Sequence, residues 1–308
     1  MRTAAVRAHT TGPGTFQPLS RRLAAAPLEE TLYEGVPGHL VLPLRYWLRS
    51  VLTDEAAMRV GLHLRLAFAN GAEMAEMVGD DVLLDVVDAL LWTGLVSHRM
   101  LRPGEASFFG FTPGQGRSSF HTSYSAGELL AALAGILRDG GSAYQVNADG
   151  QGLERRVDPT VAAAAREAVA AAADAGRGDA ADLLRDAWAR AYGLHPDPGE
   201  AYSNAVKSVE AVACPLFLPS DGEPTLGRVR AHLDQSRHRY EMVVDDRLAA
   251  PASVDAVVEM VSLLWHGQRE RHAGGPSTAS ISQASAEAAV HLAATLVQWF
   301  STGAVRRK

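Results

Sequence analysis

Through the second half of the chain, apolar residues recur every three or four positions, and many of them are alanine. Leu184, Ala187, Trp188 and Ala191 form one stripe, and Val254, Val257, Val258, Val261, Leu264 and Trp265 form another. Ala286, Ala289, Val290, Ala293, Val297 and Phe300 form a third. This spacing follows the turn of an α-helix and not the two-residue alternation of a strand. Alanine has the highest intrinsic helix propensity, so the composition reinforces the period. A chain patterned this way buries its stripes by packing helix on helix. Capping signals divide it into segments. Asp179 is placed to start a helix over 180–192 that ends at Gly193. Asp197-Pro198-Gly199-Glu200 offers an N-cap, a proline suited to the first helical position and the carboxylate of a capping box. The helix it starts should stop at Cys214, before Pro215. A short helix is expected over 225–235 and a long one over 254–272, closed by Gly274-Gly275. A last helix begins at Ser280, with Gln283 in capping-box position. Short connections between such helices predict an antiparallel bundle over 178–305. Trp188, Trp265 and Trp299 lie on the apolar sides and are expected to be largely buried.

The first half is also helical, with one β element. Leu40, Leu44, Trp47, Leu48 and Val51 make a stripe that begins near Pro37. A second helix starts at Thr53-Asp54 and runs through Val60, Leu64 and Phe68, and a third follows Gly79 with Val82, Leu83, Val86, Val87 and Leu90. A fourth covers 126–138 and stops at Gly140-Gly141. The segment 142–157 then reads as a β-hairpin around Asp149-Gly150, a pair suited to a type I′ turn. That turn sets Val146 opposite Leu153 and Tyr144 opposite Arg155, close enough for a cation–π contact. An Ala-rich helix, 161–173, precedes Ala175-Gly176-Arg177-Gly178, which reads as a linker. The expected organisation is a flexible arm over 1–27, a helical N-terminal domain with a hairpin over 28–175, and the bundle over 178–305. The fold class is mainly α.

Other features exclude function classes. Cys214 is the only cysteine, so neither an internal disulfide nor a Cys-based zinc finger can form, which suits the cytoplasm. No apolar run approaches the roughly 20 residues that span a bilayer, and none follows the early arginines as a signal peptide requires. The formal net charge of −6 argues against bulk binding of DNA, which needs a concentrated basic surface. The loop 104–124 is rich in glycine and aromatic residues, yet Gly116-Arg117-Ser118 lacks the lysine of a phosphate-binding loop. Glu287 and His291, four apart, read as a surface pair. With no HExxH pattern or close His/Asp cluster, neither a metal nor a cofactor is expected.

The densest polar stretch is Trp265-His266-Gly267-Gln268-Arg269-Glu270-Arg271-His272. Helical spacing sets Trp265, Arg269 and His272 on one side, so an apolar stripe runs into a cation and an imidazole. The partial negative charge of a helix C-terminus favours protonated His272 by about 0.3–1 kcal/mol. An imidazole beside an arginine is what attack by a 2′-OH on an RNA phosphodiester needs: one moves the proton, the other stabilises the charged phosphorane. The plainer reading has the arginines solvated and His272 closing the helix end. Lys207 and Glu210, three apart on the helix 198–213, read as an ion pair at the edge of the buried face, able to orient Arg269 or His272.

The run Ala201-Tyr202-Ser203-Asn204-Ala205-Val206-Lys207-Ser208-Val209-Glu210 resembles the A-Y-x-x-A-h-K-x-h-E helix (h, hydrophobic) of the abortive-infection protein C-terminal domain. Thr225-Leu226-Gly227, Arg271-His272-Ala273-Gly274-Gly275 and the closing Ala-rich helix around Ala288–Leu296 are similar to that family as well, over about 180–305. The resemblance implies a HEPN-like helical bundle, a group with many RNases of phage defence that build their sites across a dimer interface. It implies RNA as ligand, a homodimer, His272 with Arg269 and Arg271 as catalytic residues, and Lys207, Glu210, Tyr202 and Asn204 as their support. Such enzymes set the arginine four to six residues before the histidine; here Arg269 is three before and Arg271 adjacent, while Trp265 stands seven before. Two readings therefore stay open: a metal-independent endoribonuclease, and a non-catalytic helical interaction or dimerisation module.

Overall fold

The structure, a computed structural model, describes residues 32–96, 125–247, 250–267 and 280–308. The expected arm 1–27 and the aromatic, glycine-rich loop 104–124 lie outside the described residues. The fold is mainly α, with two small antiparallel two-stranded sheets among the described residues. No helix among them is long and apolar enough to cross a membrane. Contacts divide the chain into two units, which meet in sequence after Arg156.

The first unit contains α1 (Gly38–Val51), α2 (Asp54–Leu64), α3 (Gly71–Met77), α4 (Leu83–Trp92) and α5 (Ala126–Asp139), then the strands β1 (Tyr144–Val146) and β2 (Leu153–Arg155). The stripe expected on α1 is its core face: Leu40, Leu44, Trp47, Leu48 and Val51 are all buried. The Trp47 indole N–H donates to the Leu129 carbonyl at 2.8 Å, which ties α1 to α5. Thr53 caps α2 as its position suggests, accepting the Ala56 N–H. The helix ends at Leu64, short of Phe68. Helix α3 is absent from the sequence reading. Its signal is a reciprocal cap: the Asn70 side chain accepts the Glu73 N–H, and the Glu73 carboxylate accepts the Ala69 N–H. Arg45 closes the other end of α3, donating to the carbonyls of Ala75, Glu76 and Val78 and to the Asp80 carboxylate over 2.6–3.0 Å.

The hairpin has the expected register, Tyr144 opposite Arg155 and Val146 opposite Leu153. Its turn differs. Gly150 has φ +69°, but Asp149 does not join it in the positive region, so the type I′ turn is not formed. The Asn147 carbonyl accepts the Gly150 N–H, and Asn147 and Gly152 pair, which leaves a longer connection of the same symmetry. Arg155 ion-pairs with Glu34 at 2.7 Å in place of the expected contact with Tyr144.

The second unit contains α6 (Pro159–Asp174), α7 (Gly178–Tyr192), α8 (Pro198–Phe217), α9 (Leu226–Gln235), β3 (Tyr240–Met242), α10 (Asp255–Gly267), α11 (Gln283–Ser301) and β4 (Val305–Arg307). Helix α11 packs against α6, α7 and α8, and the α7–α8 pair is equally extensive. The expected linker at 175–178 is instead a tight turn inside this unit. Gly176 takes φ +72°, the Arg177 N–H donates to the Ala172 carbonyl, and the Gly176 N–H donates to Ala173. That is a Schellman cap, and it folds α6 back against α7. A composition of small residues reads alike for a linker and for such a cap. The buried Ala168 and Ala172 show which it is, since they belong to the core of the second unit.

Further differences are local. Helix α8 continues through Pro215 to Phe217. Helix α11 begins two residues late, capped by Ser282 and not Ser280, so Gln283 completes no capping box. Trp188, Trp265 and Trp299 are only partly buried, packed against the edge of the core.

Trp47 is the largest fully buried side chain of the molecule's described residues and joins two helices through its indole. Replacing it with Ala should cost about 3–5 kcal/mol through the cavity left behind. Urea denaturation followed by circular dichroism measures this, and a loss under about 1 kcal/mol would show that α1 and α5 do not depend on this contact.

Candidate functional site

Arg269, Arg271 and His272 lie outside the described residues, which on this side end at Gly267. The supporting residues are described, and α8 carries all of them. Asp197 caps α8 by accepting the Glu200 N–H at 3.1 Å, and Pro198 fills the first turn as expected. Ala201, Tyr202, Ala205, Val206 and Val209 then face the core, buried.

Tyr202 reaches the last described turn of α10. Its hydroxyl donates to the Leu264 carbonyl at 3.0 Å. Gly267 lies against the same hydroxyl so closely that a Cβ there would stand 2.0 Å from it. Two residues earlier, Trp265 lies on Gly227 of α9, where a Cβ would meet the indole at 2.6 Å. The two glycines thus allow a tyrosine and a tryptophan to hold the last described turn of α10.

Glu210 departs from its expected role. Its carboxylate accepts the Leu226 N–H at 2.8 Å and so occupies the N-terminus of α9, next to the Thr225 side chain that accepts from Arg228. A carboxylate is stabilised there by the free N–H groups and the helix dipole. Lys207 is exposed and forms no ion pair among the described residues, so the pair expected with Glu210 is not made. Asn204 is half-buried on the same helix. Burial, with the Glu210 and Asp221 carboxylates nearby, pushes the Cys214 thiol up to about 11, so it stays protonated and unreactive at neutral pH.

A second polar cluster lies between α7 and α11, and the sequence reading missed it. Glu287 and His291 are not a surface pair. His291 is half-buried, its Nε2 is 2.7 Å from the Tyr192 hydroxyl, and Trp188 packs edge-on against it at 5.9 Å. Trp188 and Tyr192 meet with tilted rings at 4.5 Å, one turn apart on α7. Glu287 accepts from the Gln283 side-chain amide at 2.8 Å, and that amide also donates to the Ala191 carbonyl at 2.6 Å. The available signal was the four-residue spacing of Trp188 and Tyr192, which sets two aromatic rings on one face of α7. Among the described residues no three His, Cys, Asp or Glu side chains gather as a metal site would require.

Burial lowers the pKa of His291 from its ordinary 6.5, against an opposing pull from Glu287. Well above that value the imidazole is neutral in both folded and unfolded chain. Below it the unfolded chain takes up the proton first, so stability falls as the pH falls, until the folded state also protonates. Urea midpoints measured from about pH 7.5 down to about pH 5 should therefore decline, and the decline should be shallower in His291→Gln. An equal decline in the two proteins would assign the effect to other groups.

No family model matches the chain, and neither a curated protein nor a solved structure matches it.

Proposed function

We propose that the chain is a phage-defence or stress-response protein whose second unit cleaves RNA as a metal-independent endoribonuclease, working in the cytoplasm as a homodimer. His272 moves the proton, and Arg269 or Arg271 holds the scissile phosphate. The 2′-OH gives up its proton, its oxygen bonds to phosphorus, and the P–O5′ bond breaks as the leaving oxygen is protonated. The observation that carries this reading is the use made of Tyr202 and Glu210. Both belong to the helix on which the abortive-infection resemblance rests, and both hold neighbouring helices: Tyr202 the last described turn of α10, and Glu210 the N-terminus of α9. A general acid/base needs such support, because loose positioning forfeits rate.

A second reading, the interaction module, draws on the first unit. Met58 and Leu62 stand one turn apart on α2, 69% and 75% exposed. Trp92, 65% exposed, lies edge-on to His63 at 4.7 Å. Exposed apolar side chains such as these suit a protein partner.

The test is cleavage of mixed RNA by wild type and by His272→Ala, the two matched for melting temperature. The variant should lose at least ~100-fold in rate, and chelators should leave the wild type unchanged. Equal cleavage by both proteins removes His272 from the chemistry. No cleavage by the wild type, even in extracts of phage-infected cells, leaves the interaction module. Sedimentation of a monomer at micromolar concentrations would rule out a site completed by a second copy.

A further inference from the structure

Where α8 ends, the second unit forms a depression of about 180 Å³ whose lining includes Leu216, Phe217, His232, Arg239, Tyr240 and Arg307. Its floor is rigidly held. Tyr240 is buried, meets Phe217 edge-on at 5.3 Å, and shares a 3.0 Å hydrogen bond between its hydroxyl and the His232 imidazole. The β3–β4 register places Arg307 opposite Tyr240 and Val305 opposite Met242. Those four residues share one face of the ribbon, because side chains alternate along a strand. Three of them are buried, while Arg307 is exposed at the rim. The Arg239 carbonyl accepts the Lys308 N–H at 2.9 Å, which holds Arg239 beside the end of β4.

Charge separates these two arginines from their neighbours. Arg228 pairs with Asp221, Arg237 with Asp234 and Asp255, and Arg306 with Glu241. Arg239 and Arg307 have no carboxylate partner among the described residues. In a chain of net charge −6, two unneutralised guanidinium groups at one depression make a local positive field. The α8 side of the same depression is apolar, where Leu216 is 44% exposed beside Pro219.

We propose that this depression binds a nucleotide, with its phosphate between Arg239 and Arg307 and its ring against Leu216 and Pro219. Guanidinium groups match phosphate oxygens in shape and charge, and a flat ring suits an apolar wall. The volume lies below the roughly 300 Å³ of an ordinary ligand pocket, so it takes the phosphate and one edge of the ring and leaves the remainder in solvent. Such partial enclosure suits a free nucleotide and a nucleotide within a single strand equally. The assignment does not depend on His272 or on cleavage.

Titration calorimetry of the full chain with AMP, a short oligoadenylate and inorganic phosphate tests it. AMP or the oligoadenylate should bind at least about tenfold more tightly than inorganic phosphate, and added salt should weaken the binding. Tighter binding of AMP assigns the site to free nucleotides; tighter binding of the oligoadenylate assigns it to a strand. Arg239→Gln with Arg307→Gln should lower the affinity by at least about tenfold at an unchanged melting temperature, both side chains being exposed. Leu216→Ser should weaken AMP and leave inorganic phosphate unaffected. No binding of AMP or oligoadenylate at millimolar concentration, binding unchanged in the double variant, or equal affinity for inorganic phosphate would each overturn the proposal. The two arginines would then serve only to offset the partial negative charge at the end of α8.

Discussion

The second unit depends on how closely its helices can approach. The faces that α6, α7, α8 and α11 turn to one another carry alanines, among them Ala172, Ala187, Ala205 and Ala293, all at or below 1% exposure. Each buries little apolar area and so supplies little of the hydrophobic drive. What the small side chains supply is proximity: helix backbones come near enough for larger residues set between the alanines, such as Leu184, Val209 and Val297, to fill the remaining space. An added methylene at such a position has nowhere to go, and overpacking of this kind costs about 1–3 kcal/mol. The same principle appears at Gly227 and Gly267, where the side chain is reduced to hydrogen so that Trp265 and Tyr202 can lie on the backbone.

Much of this was readable in the sequence, for a physical reason. The stripes on α1, α7 and α11 recur with the helix turn, and a buried helix has no other way to satisfy that pattern. The hairpin register was equally accessible, since alternation and a turn pair constrain it even though the turn adopts another geometry. Three things were not readable. Ala175–Gly178 has the composition of a linker, and only the hydrogen bonds of Arg177 and Gly176 identify it as a cap. The β3–β4 ribbon joins segments of three residues each, too short for any period to register. The role of Glu210 depends on the backbone of Leu226, which no spacing rule between side chains can anticipate.

The candidate site divides along the same line. Its supporting residues sit on a regular helix, where spacing predicts which of them face inward: Tyr202 does and Lys207 does not. Pair chemistry inferred from spacing alone held less well. Lys207 with Glu210 and Glu287 with His291 both have ideal separations on a helix, yet Glu210 serves a neighbouring helix N-terminus and His291 a tyrosine on α7. In each case a partner from another helix displaced the local one, because a half-buried polar group gains more from a well-placed tertiary hydrogen bond than from a solvated ion pair.

The placement of α11 and β4 bears on how the chain acquires its structure. Helix α11 touches α6, α7, α8 and α10, and β4 completes a ribbon whose paired side chains Glu241 and Arg306 lie 65 positions apart. The element that most others in the second unit pack against is therefore synthesised after all the helices it packs on. During translation the first unit has all its own contacts once residue 156 has emerged, whereas α6, α7 and α8 can pack only on one another until α11 follows. Non-local pairing of this kind slows folding and prolongs the exposure of apolar surface. The second unit is thus the half that stays incompletely packed until α11 and β4 have emerged.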